Sequence, residues 1–530
     1  MQNFFQIRFT KVEWKLIGLV SCVVILFACI PSLYGIWLAS THGMVWFGRP
    51  YFSNGDYPYY LSLIEQAKQG RWLLDNLFTT EPTMPFFHFF WLFIGFGARF
   101  FHISSIAAYH ISRICLIPVL CVMTYGFVSL FFSSIRLRIL TTVLFLFGSG
   151  IGGILPIWWE CFYMFQPIDR WMPESTPFLS ILYSPHFVAS TILLLMCFFL
   201  FIRLFQTRTW KTAIMTGVVV GIFYQLHPYY LILFTFIPLI FLFLEWIRGH
   251  FDDRSWMVFL MATIFSLPTI GYYYFLNTST PETKMILGQS ITLSPSGLYI
   301  LLGFGLFIPL AGIGLWIKRK EITENIFWRF LAVWLIVQPL LLYIPVDFQR
   351  RLIEGWLFPL VVFSVVAVQW IWEKMRYKIG YNFFLVFLVL FLSSSSIVLW
   401  VINIHANNPV QTGENYLTQD TVRAFEWMRT NFPENAVVIT VPSQIDELGG
   451  WIGRRVYAGH WANTIENGRK YDALTKFFDP TTTETWRKDF LQTHGVIYVY
   501  TNAHFKWNES PPSYVNLIYQ EGSSVVYRIF

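Results

Sequence analysis

Eleven long apolar stretches, nearly free of charge, decide what this 530-residue chain can become. They cover residues 14–38, 105–131, 139–158, 185–204, 211–226, 228–247, 255–276, 296–317, 325–344, 354–373 and 381–404. A helix rises ~1.5 Å per residue, so roughly 17–25 apolar residues cross a hydrocarbon layer of about 30 Å. The run from Lys211 to Trp246 is too long for one crossing, and His227-Pro228 divides it, because proline disfavours helix at the residue before it. These stretches predict a polytopic α-helical membrane protein with about eleven transmembrane helices. Only 13% of the residues are charged, against about a quarter in soluble domains, which excludes a cytosolic enzyme, a disordered chain or a nucleic-acid binder. The first stretch is too long for a signal-peptide core and no small-residue cleavage site follows it, so it reads as an uncleaved anchor.

Charge fixes the orientation. With the N-terminus (Arg8, Lys11, Lys15) in the cytoplasm, alternate connections carry Arg136/Arg138, Arg203/Arg208/Lys211, Arg248/Arg254, Lys318/Arg319/Lys320 and Lys374/Arg376/Lys378. All then fall inside, as the positive-inside bias requires. The opposite loops hold Asp56, Glu65, Asp75 and Glu81, then Glu160, Asp169 and Glu174, then Glu282. A further apolar run, Met84 to Phe101, would invert every later loop if it crossed. Interrupted by His88, Gly95, Gly97 and Arg99, it reads instead as helix lying in the outer interface, within a long first outer loop, 39–104.

An odd number of crossings leaves residues 405–530 outside, beyond a transmembrane domain over 1–404. The first part holds 26 Lys+Arg against 17 Asp+Glu, and the tail 11 against 13, so the two regions suit different surroundings. The tail predicts a small C-terminal α/β soluble domain. Its helices are expected at about 418–431, with Val422, Phe425 and Met428 three residues apart, and at 464–478 and 482–494. Strand-like runs lie at 436–441, 455–458, 496–500, 515–519 and 524–529. The tail has no cysteine, no glycine-rich phosphate loop and no nucleophile elbow, and the six cysteines elsewhere show no metal-ligand spacing.

Ionisable groups at the mouth of a membrane bundle are costly, and so candidates for function. Two sets stand out on the outer face. In the first loop, Asp56 precedes a helix-like segment, 58–69, that opens with proline. It reads either as an N-cap or as a carboxylate acting as general base on an acceptor hydroxyl, and spacing favours the cap two to one. The second set is Asp347-Phe-Gln-Arg350-Arg351-Leu-Ile-Glu354-Gly355. Charge bias would put paired arginines inside, yet parity puts these outside at a helix start, where guanidinium pairs and free N–H groups suit a lipid-linked phosphate. Pairing with Asp347 and Glu354 is the equally weighted alternative. Glu65, Glu81, Asp169, His186, His227 and Glu354 are auxiliary candidates, with Asp169 and Glu174 expected as solvated loop carboxylates. Arg113, inside a span, is expected to pair with an outer-loop carboxylate.

Several short motifs resemble the GT-C superfamily of membrane glycosyltransferases, in an uncharacterised bacterial branch. They are Asp56-Tyr-Pro-Tyr-Tyr-Leu, Gly70-Arg-Trp-Leu, Thr80-Glu-Pro, Phe348-Gln-Arg-Arg-Leu-Ile-Glu-Gly and Gly453-Arg-Arg-Val-Tyr-Ala-Gly-His-Trp461. The resemblance implies a GT-C-like bundle in the bacterial cytoplasmic membrane that uses polyprenyl-phosphate-linked sugars. It carries a catalytic role over to Asp56 and a donor-phosphate role to Arg350 and Arg351. It further implies an inverting transfer of a hexosyl or pentosyl group to an acceptor hydroxyl of unknown identity. Some members hold a metal with an Asp-x-Asp pair, whereas Ser53-Asn54-Gly55 precedes Asp56 here, so cofactor and metal use stay open. A glycan polymerase or ligase using diphosphate-linked lipids is the nearer alternative. A secondary transporter, with ionisable groups at midplane and inverted repeats, is the more distant one, and a ligand-binding sensor a third.

Overall fold

A computed structural model describes residues 8–50, 55–155, 163–375, 380–408, 415–502, 507 and 512–530. Ser53, Asn54, Glu160, Arg376, Lys378 and one of the six cysteines, Cys161, lie outside the described residues. Each of the eleven apolar stretches carries helix. Six helices are long and apolar enough to cross a membrane: Lys11–Thr41, Ser105–Val128, Pro185–Thr207, Pro228–Ile247, Asp253–Ser279 and Gln349–Lys374. Two bent pairs raise this to eight, Gly297–Phe304 with Phe307–Ile317 at 76° and Asn382–Leu392 with Ser394–His405 at 59°. The three other expected crossings are the helices Ile135–Phe147, Trp210–Leu226 and Ile326–Leu341, of 13, 17 and 16 residues. Length and composition thus support six to eight spans among the described residues, where the sequence led us to expect eleven.

The chain divides into two compact units. A bundle unit holds Met1–Pro31, Arg113–Tyr273 and Ile291–Asn403, and a second unit holds Ser32–Ser112, Tyr274–Ser290 and Ile404–Phe530. The first outer loop and the tail therefore fall in one unit.

Large aromatic side chains fill the bundle unit. The Trp334 indole lies 4.2 Å from the Phe198 ring and 5.6 Å from that of Phe358, which stacks on Phe127 at 4.7 Å. Such pairs add about 0.5–1.5 kcal/mol each beyond the area they bury. Helix Ile135–Phe147 stops at Gly148, and the chain beyond it packs too closely for side chains. A Cβ at Gly150 would lie 2.2 Å from the Leu302 carbonyl oxygen, and one at Gly152 2.2 Å from Asp169 Oδ1. The freed N–H groups are satisfied locally: Ser149 donates to Leu392 O at 2.8 Å, and Gly153 to Ser395 Oγ at 2.7 Å. His227 caps Trp210–Leu226 and Pro228 starts a short 3-10 turn, so the expected break is present.

In the second unit, the apolar run 84–101 gives a helix of only 12 residues, Phe89–Phe100. It buries Trp91, Ile94 and Ala98 and leaves Phe93 and Phe100 exposed. Gly95 lets it close on helix Asp56–Lys68, since a Cβ there would lie 2.6 Å from Ile64 O. Among the described residues, seven strands belong to this unit. β1 (Met44–Trp46) pairs antiparallel with β2 (Tyr416–Thr418). The main sheet holds β3 (Val437–Ile439), β4 (Arg455–Val456), β5 (Tyr498–Thr501), β6 (Val515–Glu521) and β7 (Ser524–Ile529), in the order β4-β3-β5-β7-β6. β3 runs parallel to β4 and β5, and the other pairs are antiparallel.

Each expected tail helix is found, as Gln419–Asn431, Asn467–Phe478 and Glu484–Thr493. The first begins where Thr418 accepts from the Thr421 N–H, and buries Phe425 and Met428, each stabilising by about 1.5–3 kcal/mol. Helix Ile445–Ile452 is not among the expected elements, and its Gly449-Gly450 pair disfavours helix. Those glycines instead admit neighbours: a Cβ at Gly450 would lie 2.8 Å from Pro58 O.

Candidate functional site

Asp56 is the first residue of helix Asp56–Lys68, after Gly55 at the cap position, which has no side chain to cap with. The N-cap reading favoured by spacing is therefore corrected, because the helix starts one residue early and Asp56 lies within it. Its Oδ1 accepts from His460 Nε2 at 2.7 Å, across 404 residues of sequence. Two backbone N–H groups, of Ala462 and Asn463, point at His460 Nδ1 from 3.2 Å, and the Asn463 side-chain amide lies 2.9 Å away. Nδ1 therefore accepts, and the ring proton sits on Nε2, aimed at Asp56. The imidazole is buried, whereas the Asp56 side chain is 29% exposed. Tyr59, one helical turn on from Asp56, lies 5.4 Å from the imidazole, and burial and the Asp56 charge raise its hydroxyl pKa. Gly55 leaves room for Trp461, whose Cδ1 would lie 3.0 Å from a Cβ there.

The whole segment Gly453–Trp461 grips the first loop. Gly453 has φ +61°, which favours glycine, and a Cβ there would lie 2.9 Å from Gln69 Nε2. Arg454 donates to Gln69 Oε1 at 2.7 Å and Arg455 to the carbonyls of Asn76 and Thr79 at 3.1 and 2.7 Å. Val456 N–H donates to Leu77 O at 2.8 Å. The motif Gly453–Trp461 is visible in the sequence, but nothing in it sets His460 apart. Its proximity to a glycine and a tryptophan was the available signal, and it is weak.

In the bundle unit the second set gathers more of the candidates than expected. Arg350 and Arg351 lie in a five-residue 3-10 turn, Gln349–Ile353, while the α-helix itself begins at Leu357. The expected helix N-terminus is thus displaced from the arginines, because Glu354-Gly355 interrupts the helix. Arg350 lies over the Trp171 ring at 4.9 Å and Arg351 over Tyr229 at 5.4 Å. Arg351 pairs with Glu174 at 3.5 Å and donates to Tyr229 Oη at 3.4 Å. Tyr229 Oη in turn lies 2.6 Å from His227 Nδ1. His227 and His186 have ring centroids 5.5 Å apart, and His186 Nδ1 lies 2.7 Å from Ser184 Oγ.

Glu354 does not pair with these arginines. Its carboxylate accepts from the hydroxyls of Ser190, Thr191 and Tyr230, at 2.8, 3.1 and 2.5 Å. Gln338 donates to the carbonyls of Leu352 and Glu354 at 2.7 and 2.8 Å, and Gly355 turns at φ +84° with Leu194 Cδ2 2.5 Å from where a Cβ would stand. Glu354 and Gly355 thus hold the arginine turn in place.

The remaining candidates have structural partners. The Glu65 carboxylate is buried, accepts from Ser105 Oγ at 2.5 Å and pairs with Arg429 at 3.3 Å and Lys68 at 3.8 Å, beside a cavity of about 240 Å³. Glu81 pairs with Lys470 at 2.5 Å and accepts from Thr79 Oγ1. Burial opposes its charge, but the Lys470 ammonium and the Thr79 hydroxyl hold its pKa below the usual carboxylate range. Asp169 and Glu174 are buried rather than solvated, which corrects the loop reading: the backbone around them folds inward in short 3-10 turns. Asp169 Oδ2 accepts from Gly152 N–H at 3.1 Å, and burial pushes its pKa up to about 7. Arg113 Nη1 donates to the Ile181 carbonyl at 2.8 Å. Among the described residues no group of three His, Cys, Asp or Glu is placed to hold a metal ion.

No protein-family model and no curated protein matches the chain. Its fold does match solved structures. The archaeal oligosaccharyltransferase AglB from Archaeoglobus fulgidus, in complex with an inhibitory peptide and a dolichol-phosphate, superposes with TM-score 0.55 at 13% identity, over 93% of this chain and 70% of AglB. ArnT from Cupriavidus metallidurans, bound to undecaprenyl phosphate, gives 0.51 at 10% identity, over 96% of this chain and 98% of ArnT. Mycobacterial arabinofuranosyltransferase AftD gives 0.53 at 11% identity, over 97% of this chain and 40% of AftD. The chain shares the fold of these three transferases, and six to eight of its helices, counted among the described residues, are long and apolar enough to cross a membrane.

Proposed function

We propose that this protein moves a hexosyl or pentosyl group from a polyprenyl-phosphate donor to an acceptor hydroxyl, on the outer face of a bacterial cytoplasmic membrane. Asp56 takes the hydroxyl proton as the acceptor oxygen attacks the anomeric carbon. The bond from that carbon to the phosphate oxygen breaks, and the lipid phosphate leaves with its new charge held by Arg350 and Arg351. One displacement inverts the anomeric centre. Phosphate is a good leaving group, so positioning and charge stabilisation account for most of what the protein contributes.

One observation carries this reading: two solved proteins of this fold hold a dolichol or undecaprenyl phosphate, and this chain gathers Arg351, Tyr229, His227 and His186 in one cluster of its bundle, with Arg350 beside it in the same turn. A membrane-embedded phosphate needs such donors, because charge left unpaired there is costly. The test uses the full-length protein in lipid nanodiscs and a panel of undecaprenyl-phosphate-linked hexoses and pentoses, with release of undecaprenyl phosphate as the readout. Turnover of at least one donor, lost in Asp56→Asn, supports the reading. Release unaffected by Asp56→Asn removes it.

A further inference from the structure

We infer that His460 is a positioning residue for the proposed reaction: by donating its Nε2 proton, it fixes the carboxylate of Asp56 in the orientation from which that group takes the acceptor's proton. The inference rests on the reading of Asp56 given above and deepens it. A buried histidine ordinarily needs only to satisfy its two nitrogens somewhere in a core. His460 is arranged more narrowly. Donors converge on Nδ1 from the Ala462 and Asn463 backbone and from the Asn463 side chain, which leaves only one tautomer and one direction for the remaining proton. That direction ends on a carboxylate whose side chain is 29% exposed, not on another buried group.

The ring is packed among neighbours. Tyr59 lies 5.4 Å away, and Trp461 stacks at 5.8 Å. Gly459, just before it, is pressed on Phe78, where a Cβ would approach to 2.2 Å. Asp56 is the first residue of its helix, and the histidine constrains its carboxylate from 404 residues away. A base held within a few tenths of an ångström of its working position gains rate without gaining substrate affinity.

The test measures kcat and KM for the donor that turns over in the nanodisc assay, in His460→Gln and His460→Met. Both keep most of the volume, but only glutamine retains an N–H near the position of Nε2. A hydrogen bond to a charged group predicts that His460→Met loses about 10- to 100-fold in kcat, with KM for the lipid within about twofold, and that His460→Gln recovers most of it. Equal activity of the two variants, or a loss confined to KM, overturns the inference while Asp56→Asn still tests the base. If His460→Met does not fold, the ¹⁵N resonances of labelled wild-type protein, assigned through His460→Gln, decide: a proton on Nδ1 overturns the inference, one on Nε2 supports it.

Discussion

The two sites differ in how their residues are brought together. In the bundle unit, His186, His227, Tyr229, Arg350 and Arg351 all sit at helix ends or in the turns beside them, at 184–186, 227–230 and 349–353. A membrane bundle sends every second connection to the same side, so residues at those ends come together almost whatever the packing. In the other unit, Asp56 and His460 meet across 404 residues through an α/β fold, where no such parity applies. A charge beside an apolar span advertises itself, whereas a histidine in an α/β fold looks like any other.

That contrast can be broken at several points. Asp56→Asn has the largest expected effect: removal of a general base lowers kcat by about 10²–10⁴-fold, with lipid binding retained. Loss of undecaprenyl phosphate binding in this variant would blur the division between base and phosphate holder. Arg351→Ala comes next. Removing a charge-assisted donor that holds the phosphate both bound and leaving raises KM for the lipid about tenfold or more and lowers kcat as well, measured in the same assay; no change in either would remove the phosphate role of Arg351.

Gly355→Ala probes how the arginine turn is held. Its φ of +84° and the 2.5 Å approach to Leu194 predict destabilisation by about 1–3 kcal/mol, read as a lower Tm, together with weaker binding of undecaprenyl phosphate. The smallest effect is at Asp169. Its folded-state pKa, near 7, lies above the ordinary carboxylate value, so the folded chain binds the proton more tightly than the unfolded one. The contribution to stability is thus present at low pH and lost as pH rises from about 4 through 7. Asp169→Asn, which can still accept from Gly152, is expected to raise Tm relative to wild type at pH 8, with the advantage shrinking through pH 5 and nearly gone at pH 4. An advantage that grew on acidification would refute the assignment.

Much of the fold was legible. The apolar runs, the His227-Pro228 break, the three tail helices and the five strand runs follow from period, proline and β-branched content. Helix Ile445–Ile452 was hidden by Gly449-Gly450, since propensity cannot know that Pro58 and Phe78 press on those glycines. The span count was less legible, because hydropathy does not register a 76° bend at Gly305 or a stop at Gly148. Of the candidate residues, the bundle cluster was named nearly whole. Glu65 and Glu81 were named but proved to be spent in ion pairs with Arg429 and Lys470, partners that lie about four hundred residues away.

Sequence by itself determined that the chain must live in a bilayer, and which end of each helix carries its charges. Both follow from transfer energies that accumulate residue by residue along the chain. Only the tertiary structure decided which carboxylates are consumed by neighbours and which one is met by a histidine. Hydrogen bonds and ion pairs act over about 3 Å, and no spacing along a chain of this length encodes a distance that short between its two ends.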